Sequence, residues 1–224
     1  MESLSVTFPA KIASAPNKSA PFVFCHESAI GKFLGVDRLS EINVKADDLS
    51  EKLVVELNQA PRGADIIQEI KRAGIRFVVA LPDRMTSEHL LKPLLGDRDL
   101  QVVQVCKEDE GISVCSGLYC TGKRALLLIQ YTGLLDSMNA LTRIGVEGEN
   151  PVCMMVGLLG KERGVPPTQS KRFGLRIIEP ILDVMGIERH LIESPEDLKK
   201  IVPAVERAYN TSKPVAVLIG REPL

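Results

Sequence analysis

The chain has 224 residues, 45% of them hydrophobic and 25% charged, enough to build a sizeable core, which excludes disorder along its whole length. Its 28 Lys and Arg face 29 Asp and Glu, a formal net charge of −1, so it lacks the basic surplus of a nucleic-acid binder. No run approaches the ~18 apolar residues of a membrane helix, and no basic segment leads into an apolar one at the N-terminus as a secretory signal would. The five cysteines are an odd number without a C-x-x-C pair, read as small buried hydrophobes in a reducing cytoplasm. His26, His89 and His190 do not pair at ligand spacing, so no protein-built zinc site is expected.

Residues 1–60 differ in character from the rest of the chain. Up to Pro21 the chain is rich in Ser, Ala, Pro and Lys, with Glu2 as its only acid. The apolar patches at 22–24 and 32–34 keep no period, and 49–57 has material for a turn or two of helix. This stretch is expected to be a partly disordered N-terminal extension. The low acid content of the first 26 residues permits an organelle transit peptide, and the lack of Arg there opposes one.

From Pro61 the pattern becomes regular. Ile66, Ile67, Ile70 and Ala73 share one face of a predicted helix that Gly74 stops. The apolar run Arg76–Leu81 reads as a strand buried on both faces, ended by Pro82. The alternation continues with helices over 86–95, 108–121, 134–145, 175–186 and 195–210, and strands over 101–105, 125–130, 152–157, 189–192 and 214–219. Such alternation predicts an α/β domain over 61–224, a doubly wound parallel sheet with helices on both faces. Its ligands would sit beyond the carboxyl ends of the strands, in the loops 82–86, 106–110, 130–136 and 158–173.

The second of these loops carries Glu108, Asp109 and Glu110, acids that suit a helix start through the macrodipole. A face of small residues comes next: Gly111, Ser113, Ser116 and Gly117. Glu108 precedes Gly117 by nine positions, with Tyr119 two beyond the glycine. That spacing resembles the glutamate motif in the pyrimidine-binding (Pyr) domain of thiamine diphosphate enzymes. Glu-Asp-Glu-Gly, Ser-Gly-Leu-Tyr-Cys-Thr-Gly-Lys and the stretch Gln130–Leu141 are similar to one branch, the sulfopyruvate and phosphonopyruvate decarboxylases. The resemblance spans roughly 61–220 and is specific between 108 and 141.

The resemblance implies a site. Glu108 would hydrogen-bond N1′ of the cofactor's aminopyrimidine across a subunit interface, with Glu110 as the other candidate. A carboxyl there must keep its proton to donate, which withdrawal from water favours. Asp83, after Leu81-Pro82, would relay protons or simply form a turn. Gln130, Thr132 and Gly133 end a strand and open a helix, placed to meet the cofactor, although Thr132 also suits a helix cap. Tyr131 stands where the look-alikes have Asn, and Leu135-Asp136 where they have Gly-Asn. A tyrosine there narrows a pocket, and an aspartate repels an anionic substrate. Lys161, Arg163, Lys171 and Arg172 in the long 158–173 loop would hold a carboxylate, sulfonate or phosphonate, or form a solvated basic loop.

One half of such an enzyme is missing. The family's diphosphate-binding (PP) domain is marked by Gly-Asp-Gly and a downstream Asn, and holds Mg²⁺ with the diphosphate. This sequence has neither Gly-Asp-Gly nor a P-loop nor G-x-G-x-x-G. The expected protein is therefore the alpha (Pyr) subunit of a two-chain decarboxylase of a small anionic 2-oxo acid, in a homo- or hetero-oligomer with a separate beta (PP) subunit holding diphosphate and metal. Two alternatives stand beside it: a catalytically silent Pyr-like domain that assembles or regulates another protein, and a flavodoxin-like domain binding some other cofactor.

Overall fold

Six apolar runs become six strands: β1 (Phe77–Ala80), β2 (Gln101–Gln104), β3 (Ala125–Gln130), β4 (Cys153–Gly157), β5 (Glu188–Ile192) and β6 (Val215–Ile219). They come from a computed structural model that describes residues 60–224. Apart from Ala60, the expected N-terminal extension lies outside the described residues. The strands form one sheet in the order β2-β1-β3-β4-β6-β5, and every neighbouring pair is parallel. This is the α/β doubly wound architecture that the alternation predicts.

Central strands covered on both faces need apolar side chains at every position, hence the continuous runs of β3, β4 and β6. Alternate residues still feed different cores. Val78, Leu126, Met155 and Val217 pack in one cluster; Val79, Leu127, Met154 and Leu218 pack in the other.

The first cluster is closed by helices α1 (Gly63–Arg72) and α7 (Ile201–Thr211) and by the segment holding α2 (Lys92–Gly96). Ile66, Ile67 and Ile70 are the buried face of α1, as their spacing predicts. Ahead of α2 the chain makes a π-helical turn, Ser87–Leu91. Pro93 has no N–H to give the carbonyl four residues back and its ring crowds that carbonyl, so the widened turn sits where a regular one would clash.

The second cluster is covered by α3 (Glu108–Cys120), α4 (Tyr131–Asp136), α5 (Met138–Ala140) and α6 (Phe173–Val184). The single helix expected over 134–145 starts earlier and is broken. Ser137 is fully buried, and its hydroxyl donates to the Gly133 carbonyl at 2.7 Å, a back-bond that bends helices. Beyond it α5 runs into a π-helical stretch, Leu141–Val146. Likewise the helix expected over 195–210 opens as a 3₁₀ segment, Pro195–Lys200. Among the described residues no helix is long and apolar enough to cross a membrane.

The chain passes from β1 to one edge at β2, then back to β3 on the other side of β1. Loops diverge at such a reversal and leave a crevice over the carboxyl ends of the strands.

Candidate active site

A cleft of about 550 Å³ opens at this reversal, lined by Leu81, Pro82, Asp83, Arg84, Glu108, Gln130, Thr132 and Leu159. Its size lies in the range of small-molecule sites. The loops after β1, the start of α3 and the end of β3 supply its polar groups, and Leu81 and Leu159 its apolar walls.

Glu108 is the first residue of α3, after Lys107 in extended conformation at the N-cap. The three acids there have different tasks. Glu110 turns back so that its carboxylate accepts the Cys106 backbone N–H at 3.0 Å, closing the helix start. Asp109 pairs with Lys107 at 3.5 Å. Glu108 makes no hydrogen bond or ion pair to any described residue and faces the cleft. Its carboxyl lies against the backbone of Gly133 in α4, where an added Cβ would overlap it. Gly133 is therefore needed for room, although glycine is a poor helix former inside α4.

Asp83 is in the cleft and is already engaged. Its carboxylate accepts the backbone N–H groups of Met85 and Thr86 at 2.5 and 2.6 Å, and the Thr86 hydroxyl at 2.7 Å. This is a side-chain-closed turn, anchored below by buried Met85 and Thr86. Gln130 ends β3, and its side-chain oxygen accepts the Thr132 hydroxyl at 2.9 Å. Both line the cleft, and the N-cap residue of α4, Gln130, makes no side-chain capping bond.

Tyr131 points elsewhere. It is buried in the second core cluster, and its ring lies over Gly174 of α6, 2.7 Å from where a Cβ would stand. Asp136 is also outside the cleft, paired with Lys107 at 3.2 Å. Asp136 and Asp109 in turn hold the Lys107 ammonium above its ordinary range. The tyrosine does not narrow the cleft, and the aspartate does not line it.

The four basic residues of the 158–173 loop do not converge on Glu108. The Lys161 side chain is almost fully buried and ion-paired with Glu193. With Arg163 it lines a separate cavity of about 240 Å³ beyond β4. Arg172 lies over Gly160, and Lys171 is exposed. Glu162 orders this loop by accepting the Ser170 hydroxyl at 2.6 Å and the Lys171 N–H at 2.9 Å. Those two donors pull its carboxyl down to about 2. The cation that does line the cleft is Arg84, on a loop that sequence reading selects by topology without singling out this residue. The small-residue face of α3 also divides: Gly111 packs closely on Leu127 and Val79, Ser116 donates to Asn150 at 2.9 Å, and nothing approaches Gly117.

No family model matches the chain. Over 154 residues it is 28% identical to the sulfopyruvate decarboxylase alpha subunit of Methanocaldococcus jannaschii, covering 68% of this chain and 89% of that subunit. The chain is similar to sulfopyruvate decarboxylase alpha subunits. To the sulfopyruvate decarboxylase of Methanosarcina acetivorans it is 26% identical over 156 residues, which make up 69% of this chain and 39% of that enzyme. It superposes on benzoylformate decarboxylase from Polynucleobacter necessarius with a TM-score of 0.54 at 19% identity, over 70% of this chain and 29% of that one. The fold is thus that of one domain of such a decarboxylase, and the chain spans under a third of the solved enzyme's length.

The described residues fit one half of thiamine diphosphate. A flat aminopyrimidine matches an apolar-walled cleft with an unengaged carboxyl at Glu108 and polar groups at Gln130 and Thr132. Among the described residues no group of three or more His, Cys, Asp or Glu could hold a metal ion.

Proposed function

We propose that this chain is the alpha, pyrimidine-binding subunit of a two-chain thiamine diphosphate-dependent decarboxylase, a carbon–carbon lyase for a small anionic 2-oxo acid of the sulfopyruvate or phosphonopyruvate kind. The observation that carries this reading is Glu108: it has no partner among the described residues, lines the cleft at the sheet reversal, and is given space by Gly133. The similarity to alpha subunits that this chain nearly spans end to end supports the same reading. Residues 61–224 form the Pyr domain and 1–60 its extension. A separate beta subunit holds Mg²⁺ and the diphosphate in an oligomer, and the free described cysteines suit a cytoplasmic location.

When bound, the cofactor supplies the nucleophilic carbon and the electron sink for loss of CO₂. The chain's own residues bind and orient. Glu108 holds a proton at its carboxyl and donates it as a hydrogen bond to the pyrimidine ring, which a water-poor interface favours. Gln130 and Thr132 present a joined pair of polar groups beside it. Asp83 shapes the rim by closing its turn. Tyr131 braces α4 against α6, which keeps Gly133 and Gln130 in place.

The test is reconstitution. The purified full-length chain should bind thiamine diphosphate weakly and decarboxylate nothing, and a separately encoded PP-type chain carrying Gly-Asp-Gly should restore both. Tight magnesium-dependent binding by the lone chain in calorimetry would overturn the two-chain reading. Restored binding without turnover would point to the silent Pyr-like alternative.

A further inference from the structure

We infer that Arg84 is the specificity-determining residue that recognises a second, terminal oxyanion on the substrate, a sulfonate or phosphonate carried by the 2-oxo acid. This rests on the decarboxylase reading of the cleft and deepens it. Arg84 is the one cation among the eight residues lining the cleft that also holds Glu108. It is exposed, and its guanidinium makes no hydrogen bond or ion pair to any described residue.

The backbone around it is built to be rigid. Arg84 is the second residue of the Asp83–Thr86 turn, whose ends are tied by three hydrogen bonds to the Asp83 carboxylate. The Asp83 N–H in turn donates to the Ser87 hydroxyl at 2.8 Å, and Met85 and Thr86 are buried beneath it. A turn fixed at both ends presents its exposed side chain from a defined origin, which lowers the ordering cost of binding. The Asp83 carboxylate is directed to these three donors and makes no ion pair with the arginine next to it.

Charge balance gives the guanidinium its task. A 2-oxo acid with a terminal sulfonate or phosphonate brings at least two negative charges into a cleft that already contains the Asp83 carboxylate. A planar guanidinium meets an oxyanion through two parallel N–H groups, with a directionality that an ammonium lacks. The other basic candidates do not serve: Lys161 is paired with Glu193, and neither Lys171 nor Arg172 lines the cleft.

The experiment uses the reconstituted two-chain complex with wild-type, R84Q and R84K alpha chains. Calorimetry reads the affinities of sulfoacetate, phosphonoacetate and acetate, probes that cannot lose CO₂ from a 2-oxo group. Kinetics read kcat/KM for sulfopyruvate, phosphonopyruvate and pyruvate. For R84Q the preference for a dianionic acid over pyruvate should fall about 10–100-fold, chiefly through KM, as expected for losing a charged hydrogen bond. Sulfoacetate or phosphonoacetate binding should weaken by a similar factor and acetate binding should not; whichever is bound more tightly identifies the oxyanion. R84K should lie between. Equal losses for all three acids, or no change in either probe's affinity, would overturn the assignment. A wild-type complex that turns over none of the acids would instead count against the decarboxylase reading, and the probe affinities would still decide the role of Arg84.

Discussion

At the amino-terminal rim of the sheet, Arg124 donates to both oxygens of Glu206 at 2.5 and 3.2 Å and to the Ala73 carbonyl at 2.9 Å. Its guanidinium also lies 4.8 Å from the centre of the Tyr209 ring. The Tyr209 hydroxyl accepts the first N–H of β3, from Ala125, at 2.8 Å, and Tyr119 meets Tyr209 edge to face at 6.1 Å. At the carboxyl-terminal rim, Glu108 and Arg84 have no partner among the described residues. One rim uses its polar groups to close the ends of helices and strands. The other uses Asp83 and Glu110 to hold backbone, and leaves the carboxyl and the guanidinium beside them unengaged. The same sheet thus separates engaged from unengaged polar groups by which end of its strands a residue occupies.

The largest effect should come from the unengaged carboxyl. In the reconstituted complex Glu108→Gln should lower turnover by about 10²–10⁴, the range for a group that handles a proton, while Glu110→Gln keeps turnover near wild type. If turnover survived Glu108→Gln and vanished with Glu110→Gln, the division of tasks among the acids of α3 would be wrong. Gly133→Ala should move activity the same way without loosening the fold, because its Cβ takes the space of the Glu108 carboxyl while alanine is the better helix former. Thermal melting and steady-state kinetics on that variant separate the two effects.

The opposite rim should answer in stability alone. Tyr209→Phe strands the Ala125 N–H and should cost about 1–3 kcal/mol in urea unfolding, with reconstituted turnover unchanged. A loss of turnover at matched fold would show that the two rims are coupled.

The smallest effect should appear at low pH in the 158–173 loop. The Ser170 hydroxyl and the Lys171 N–H hold the Glu162 carboxyl near 2, below its ordinary 4.5. A depressed folded-state value means that its contribution is complete above about 4.5 and is lost as pH falls toward 2. The gap in urea midpoint between wild type and Glu162→Gln should therefore be open at pH 7 and close across that interval. A gap independent of pH would assign the effect to packing.

Much of the fold was legible because burial leaves a periodic trace. Ile66, Ile67 and Ile70 mark the buried face of α1, and unbroken apolar runs mark β3, β4 and β6. The helix breaks at Ser137 and before Pro93 were not foreseen, since a buried hydroxyl and a missing N–H act through local hydrogen bonding that hydrophobic periodicity does not register. The departures Tyr131 and Asp136 looked like changes to a pocket. In space one is a core residue against Gly174 and the other a surface partner of Lys107.

By itself the sequence determined the doubly wound fold, the loops that could hold a site, the candidacy of Glu108 and the absence of a diphosphate-binding motif, all properties carried by period or by motif. Tertiary structure decided which charges remain unengaged. Lys161, Lys107, Glu110 and Asp83 look as available in the sequence as Glu108 and Arg84. Glu110 and Asp83 are taken up by nearby backbone N–H groups, whereas Lys161 pairs with Glu193 across 32 positions and Lys107 with Asp136, and pairing between residues brought together only by folding leaves no periodic signal.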